Sequence, residues 1–217
     1  GAKPLIHYGG GSAVRSGLID RVKKSLDAAG IAHVELGGVQ PNPRDALVYR
    51  GIELARSEKV DFILAVGGGS SIDSAKAMAH GALYDGDFWD FFCGKAKPKT
   101  TTPFGVVLTM AAAGSESSNS CVITQEATKT KRGLRTELNR PKFAIMNPEL
   151  TYTLPKYQLT CGIVDIFMHT IERYFTPVHG NELTDEIAEG LMRTLIRNAA
   201  KAYENQEDYD AMSEIMW

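Results

Sequence analysis

Apolar residues in the first hundred or so positions follow two alternating patterns. Short continuous runs, "KPLIHY", "AHVEL" and "VDFILAV", alternate with stretches where apolar residues recur every three or four positions. In "RSGLIDRVKKSLDAAG", Leu18, Ile19, Val22 and Leu26 share one helical face, and Gly30 marks a helix stop. A second helix is expected from about Arg44 to Lys59, and a third, rich in small residues, within "GGGSSIDSAKAMAHGA". "VDFILAV" is apolar at every position after Asp61, as buried central strands of parallel sheets are. Strand followed by helix three times over predicts parallel pairing through crossovers. "FGVVLT" and "KFAIMN" add strands, with a polar, hairpin-like region between them. After "NPELTYTLP" the strands stop, and helices are expected over Pro155 to Phe175, Glu182 to Tyr203, and from near Tyr209. The reading is α/β: a nucleotide-binding-type parallel-sheet domain over 1–154, then the first helices of an all-α domain over 155–217.

The remaining composition narrows the function classes. Of 217 residues 43% are hydrophobic, enough for one large core or two small ones. Charges nearly cancel, 24 basic against 26 acidic, with no basic stripe that would favour nucleic acid and no apolar run of membrane-spanning length. Cys93, Cys121 and Cys161 are far apart and form no CxxC pair, so buried thiols of a cytoplasmic protein are expected rather than a disulfide framework. The opening "GAKPLIHYGGGS" does not read as a signal peptide, and both ends of the chain look cut.

Two GGGS elements stand where a strand gives way to a helix: Gly9 to Ser12 and Gly67 to Ser70. A helix N-terminus presents unsatisfied N–H groups, and glycines let an anion approach them closely, so phosphate binding is one reading; a plain tight turn is the other. Neither element fits GxGxxG or a Walker loop. Glu35, closing the second strand, stands where a dinucleotide fold keeps a ribose-binding carboxylate.

"CGIVDIFMHTIERY" carries Asp165 and His169 four residues apart, on one face of an apolar helix. Alone, the pair reads equally as a carboxylate and its histidine partner. The ordered motifs "AVGGGSSIDSAKAMA", "LTMAAAGSESSNSCVIT", "FAIMNPELTYTLP" and "CGIVDIFMHTIERY" together resemble the iron-containing (group III) alcohol dehydrogenase family, nearest its butanol dehydrogenase and NADPH-dependent aldehyde reductase branch. The resemblance runs through the whole chain. It implies a Rossmann-like first domain, an all-helical second domain, a site in the cleft between them, and a homodimer. It further implies that Gly67, Gly68, Gly69 and Ser70 hold the cofactor pyrophosphate, with Asp73 also among the cofactor-binding residues. Gly10, Ser12, Asn42, Thr109, Ser118, Asn119, Lys131, Leu150 and Leu154 are then expected along the dinucleotide. Asp165 and His169 match the family's first two metal ligands, for Fe²⁺ or Zn²⁺; two further histidines are expected beyond Trp217. His7, His33, His80 and His179 are expected to be structural or solvated.

Two departures bear on the cofactor. The loop "TMAAAGSE" has Met110 and Ala113 where many members have hydroxyl residues. The first strand runs into "YGGGS", whereas many NAD-preferring members place an aspartate there. Losing that carboxylate removes repulsion against a 2′-phosphate, which favours NADP(H) over NAD(H); Glu35 is discounted. The implied reaction is metal-dependent hydride transfer between NADP(H) and a short-chain alcohol or aldehyde such as butanol or butanal. A glycerol-dehydrogenase-like polyol oxidoreductase, a metal-free reductase and an inactive nucleotide-binding fragment are the alternatives. The aromatic cluster Phe88, Trp89, Phe91 and Phe92 is expected to close the small domain's core, and "TKTKRGLR" to be a solvated basic turn.

Overall fold

The computed structural model describes residues 3–217. The chain divides into two units, 1–108 with 115–145, and 109–114 with 146–217.

In the first unit, five parallel strands form one sheet: β1 (Pro4–Gly9), β2 (Val34–Val39), β3 (Phe62–Gly67), β4 (Phe104–Leu108) and β7 (Ala144–Ile145), in the order β2-β1-β3-β4-β7. β3 and β4 are buried nearly end to end, as continuous apolar strands with covered faces require. The intervening helices are α1 (Ser12–Arg15), α2 (Leu18–Ala28), α3 (Asp45–Ser57), α4 (Gly69–Gly81) and the short α5 (Trp89–Phe92). β5 (Ser120–Gln125) and β6 (Thr130–Arg135) form the antiparallel hairpin that the polar region suggested. Phe88, Trp89, Phe91 and Phe92 are all buried, with the Trp89 and Phe92 rings stacked 5.2 Å apart.

Three details differ from the sequence reading. The first helix is broken in two, because Gly17 takes a left-handed conformation (φ 73°) that a right-handed helix cannot pass through. "TKTKRGLR" is not a turn: Thr130–Arg135 is a strand, held in register by the buried Leu134 opposite the buried Cys121. "KFAIMN" shortens to two strand residues, since the Asn147 side chain accepts from the Glu149 amide and starts a 3₁₀ turn at Pro148.

The second unit contains α6 (Lys156–Tyr174), α7 (Glu182–Glu204) and α8 (Tyr209–Met216). Leu159, Leu195, Ala202, Ala211, Met212 and Ile215 form its buried cluster, with Ile163, Ile166 and Phe167 packed against it. The turn at 148–154 is anchored by Gln206, whose amide donates to the carbonyls of Thr151 and Leu154 at 2.9 and 2.8 Å. No helix among the described residues is long and apolar enough to cross a membrane.

Candidate functional site

Strand order fixes where a ligand can reach the sheet. β2 lies on one side of β1 and β3 on the other, so the crevice of an open parallel sheet falls beyond the C-terminal ends of β1 and β3. Tyr8 pairs with Val66, which sets the two GGGS turns side by side at that edge.

Each turn has its own reason for glycine. Gly67 sits at φ 155°, and a Cβ there would meet the Ser71 Oγ at 2.5 Å. Gly68 then starts α4 with extended backbone; no side chain caps this end and no acid occupies its first turn, so its N–H groups suit an anion. Gly10 is different. It is exposed, and a Cβ would meet only the Val39 carbonyl, at an ordinary 3.8 Å. Ser12 is also exposed beside it, and Arg15 folds its guanidinium against Gly11.

The structure brings several of the expected residues together. Lys131 on β6 donates to the Asn42 Oδ1 at 2.8 Å, and Asn42 holds a left-handed backbone (φ 55°). The "PNP" loop is tied to the hairpin again by the Thr124 amide donating to Pro43 (2.8 Å) and by an ion pair between Arg44 and Glu126. Glu35 is engaged by Tyr8 and Lys23, each at 3.2 Å.

Asp73 is placed differently from the other candidates. Its carboxylate is largely buried, accepting from Ser115 Oγ at 2.6 Å and from the Val122 amide at 3.0 Å. Burial pushes its pKa up, opposed by the Ser115 hydrogen bond and the nearby Lys76. Lys76, which sequence reasoning did not single out, is fully buried on α4. Its ammonium donates to the carbonyls of Ser115, Ser118 and Ser120 and to the hydroxyls of Ser115 and Ser118, at 2.8 to 3.3 Å. Burial lowers its pKa while Asp73, 3.9 Å away, raises it. Asp73 and Lys76 thus hold the segment that carries Ser118 and Asn119 against α4. A lysine within the small-residue run "SIDSAKAMAHG" was the available signal.

Asn139 completes this side of the hairpin. Its amide donates to the carbonyls of Asn119 and Leu134, and its oxygen accepts from His80 Nε2 at 2.8 Å. His7 is buried between the Leu36 carbonyl (2.8 Å) and the Ser74 hydroxyl (2.9 Å). The carbonyl can only accept, so Nδ1 carries the proton and Nε2 takes the hydroxyl's.

In the second unit, Asp165 Oδ1 and His169 Nε2 lie 3.7 Å apart on α6, each side chain a little over two-fifths exposed. That separation is too long for a hydrogen bond and suits two atoms each about 2.1 Å from one ion at a wide angle. A carboxylate and an imidazole fit a first-row divalent metal. Among the described residues no third His, Cys, Asp or Glu joins them. Gly162 lies on the same α6 face, and Thr109, Leu150 and Leu154 are half-buried in this unit.

Comparison with known proteins reaches both parts of the chain. The family model described as iron-containing alcohol dehydrogenase matches residues 1–148, and the model for the Fe-containing alcohol dehydrogenase family, C-terminal, matches residues 160–217. The chain is 45% identical over 217 residues to the probable NADH-dependent butanol dehydrogenase 1 of Bacillus subtilis, and 40% identical over 219 residues to the NADPH-dependent aldehyde reductase YqhD of Escherichia coli. All of this chain is covered in both cases, and it spans 56% of the length of each relative. The crystal structure of NADH-dependent butanol dehydrogenase A from Thermotoga maritima superposes with a TM-score of 0.96 at 44% identity, covering the whole of this chain and 54% of that one. With family models matching on either side of residues 149–159, the glycine turns in one and the Asp165–His169 helix in the other, the chain belongs to the iron-containing alcohol dehydrogenase family.

Proposed function

We propose that the protein containing this chain transfers a hydride between NADP(H) and a short-chain alcohol or aldehyde such as butanol or butanal, using a divalent metal. The observation that carries the proposal is the pair of glycine turns side by side at the C-terminal ends of β1 and β3, in a chain of this family. The uncapped N-terminus of α4, Gly67 to Ser70, binds the pyrophosphate through backbone N–H groups. Asn42, Lys131, Ser118 and Asn119 line the remainder of the nucleotide, with Asp73 holding the loop of the last two rather than meeting the ligand. Thr109, Leu150 and Leu154 keep the coenzyme role that the family resemblance implies for them.

The preference for NADP(H) rests on Gly10 and Ser12. With no carboxylate after β1, a 2′-phosphate meets open space and a hydroxyl donor instead of a like charge. The relatives' names include both coenzymes, NADH for the Bacillus protein and NADPH for YqhD. Asp165 and His169 would supply two positions of an Fe²⁺ or Zn²⁺ site. When bound, the metal contributes Lewis-acid polarisation of the substrate oxygen. The protein's residues hold coenzyme and substrate in reacting register and exclude water.

The test is butanal-dependent NADPH oxidation by the full-length protein loaded with Fe²⁺ or Zn²⁺. Turnover that stops on chelation and is faster with NADPH than with NADH supports the reading. No turnover with either metal and either coenzyme sinks it. Light scattering of the same sample tests the homodimer.

A further inference from the structure

Gly162 is the position where the loop 109–114 comes into contact with α6. A Cβ built on Gly162 would collide with the Ala111 carbonyl oxygen and touch the Met110 methyl at 3.4 Å. The colliding group is backbone, which cannot swing aside as a flexible side chain would. No side chain larger than hydrogen fits without moving the loop or the helix. Contacts of this kind also let a Cα–H approach a carbonyl oxygen directly.

Helical spacing gives this contact its meaning. α6 divides into three stripes. Leu159, Ile163, Ile166 and Phe167 face the unit's apolar cluster. Val164 and Met168 are more than half exposed on another side. Gly162, Asp165 and His169, spaced three and four apart, form the stripe between. Gly162 is buried under the loop, and Asp165 and His169 are open. Along the axis Asp165 lies only about 4.5 Å beyond Gly162. The seated carbonyl therefore lies against α6 within one helical turn of Asp165.

We infer that Gly162 is a positioning residue: it seats the Ala111 carbonyl on α6 and so fixes the loop 109–114 against Asp165 and His169. The inference rests on the dehydrogenase reading for its kinetic consequence, because the loop carries the candidate coenzyme contact Thr109. Adding one methyl displaces the loop by about the difference between a collision and a normal contact, on the order of 1 Å, and a misplacement of that size costs about a hundredfold in rate.

The experiment compares wild type, Gly162→Ala and Ala111→Gly in the full-length protein. For Gly162→Ala, kcat is expected to fall tenfold to a hundredfold with the coenzyme KM within about twofold and cobalt stoichiometry unchanged. The primary deuterium isotope effect on kcat rises as hydride transfer becomes slower. For Ala111→Gly, which loosens the seated segment and removes a methyl packed on the unit's apolar cluster, kcat per folded site falls several-fold while the thermal midpoint drops by no more than a few degrees. A merely structural role predicts a lower midpoint with wild-type kcat and isotope effect per folded, metal-loaded site, and that result overturns the inference. If Gly162→Ala does not fold, Ala111→Gly decides, and wild-type kinetics there overturn it. If wild type itself shows no turnover, the dehydrogenase reading fails separately. The visible bands of bound Co²⁺ then decide: a shift in either variant supports the seating, and unchanged bands in both overturn it.

Discussion

Lys76 donates to the carbonyl oxygen of Ser120 at 2.8 Å from a side chain wholly out of solvent. Three carbonyls and two hydroxyls converge on one ammonium, so the cation is stabilised by hydrogen bonds while burial works against it. Removing it leaves several buried acceptors without a donor. Lys76→Met is expected to destabilise the first unit by about 2–4 kcal/mol, measured as a shift in urea midpoint at constant slope. Lys76→Arg does not restore it, because a planar fork cannot reproduce the converging geometry.

Gly67→Ala places a methyl against Ser71 at a φ few side chains adopt. The expected loss is about 1–3 kcal/mol. Gly67→Ala/Ser71→Gly removes the collision and keeps the backbone strain, so it recovers part of the loss but not all. Thermal unfolding of the two variants separates the terms.

His7 makes stability depend on pH. Desolvation lowers its pKa from 6.5 to about 4, against the opposing hydrogen bond to Leu36. Between those values the unfolded state binds the proton and the folded state does not, so stability is full above pH 6.5 and declines as pH falls toward 4. The decline is on the order of 3 kcal/mol. His80 is shifted the same way by burial and adds to it. His7→Gln is expected to lower stability at pH 7 and to flatten this slope, as read from urea midpoints between pH 7 and 4.5.

Gly10→Asp tests the coenzyme preference. A side chain fits there, since only the Val39 carbonyl lies within 4 Å of a Cβ, at 3.8 Å. The new carboxylate repels a 2′-phosphate and can accept from a ribose hydroxyl. The ratio of kcat/KM for NADPH over NADH is expected to fall at least tenfold, which corresponds to about 1.4 kcal/mol.

Asp165→Asn and His169→Ala should each reduce bound metal in the full-length protein while leaving the metal-free thermal midpoint within about 1 °C. The pair is half-exposed and beyond hydrogen-bond range, so it contributes little to stability without an ion. Metal analysis and calorimetry of the same samples check both halves.

Most of the sheet and all three C-terminal helices were legible from hydrophobic periodicity, because continuous apolar strands and three-four spacing leave few alternatives. Gly17 was not: a glycine inside a helical pattern becomes a break only when the backbone turns left-handed there, which spacing does not encode. Lys131 and Asn42 were each expected near the nucleotide, but their mutual hydrogen bond depends on a hairpin register set by Leu134 opposite Cys121. Lys76 was hidden because three of its five acceptors are backbone carbonyls, all five lie some forty positions away, and a carbonyl leaves no trace in the residue alphabet. The Asp165–His169 spacing was visible, yet its meaning came from the family, since two ligands on a helix look the same as an ion pair.

The chain passes from one unit to the other after Leu108, returns at Ser115, and passes over again after Ile145. No single cut can therefore separate the two units. A protease nick within 109–114 would leave each product with a piece that belongs to the other's fold, and a gene split at Ile145 would strand six residues of the helical unit on the wrong polypeptide. During synthesis, those six residues leave the ribosome before any of the helices they will join. They can dock only once α6 has followed, so the helical unit cannot be completed until the chain beyond Ile145 has been made.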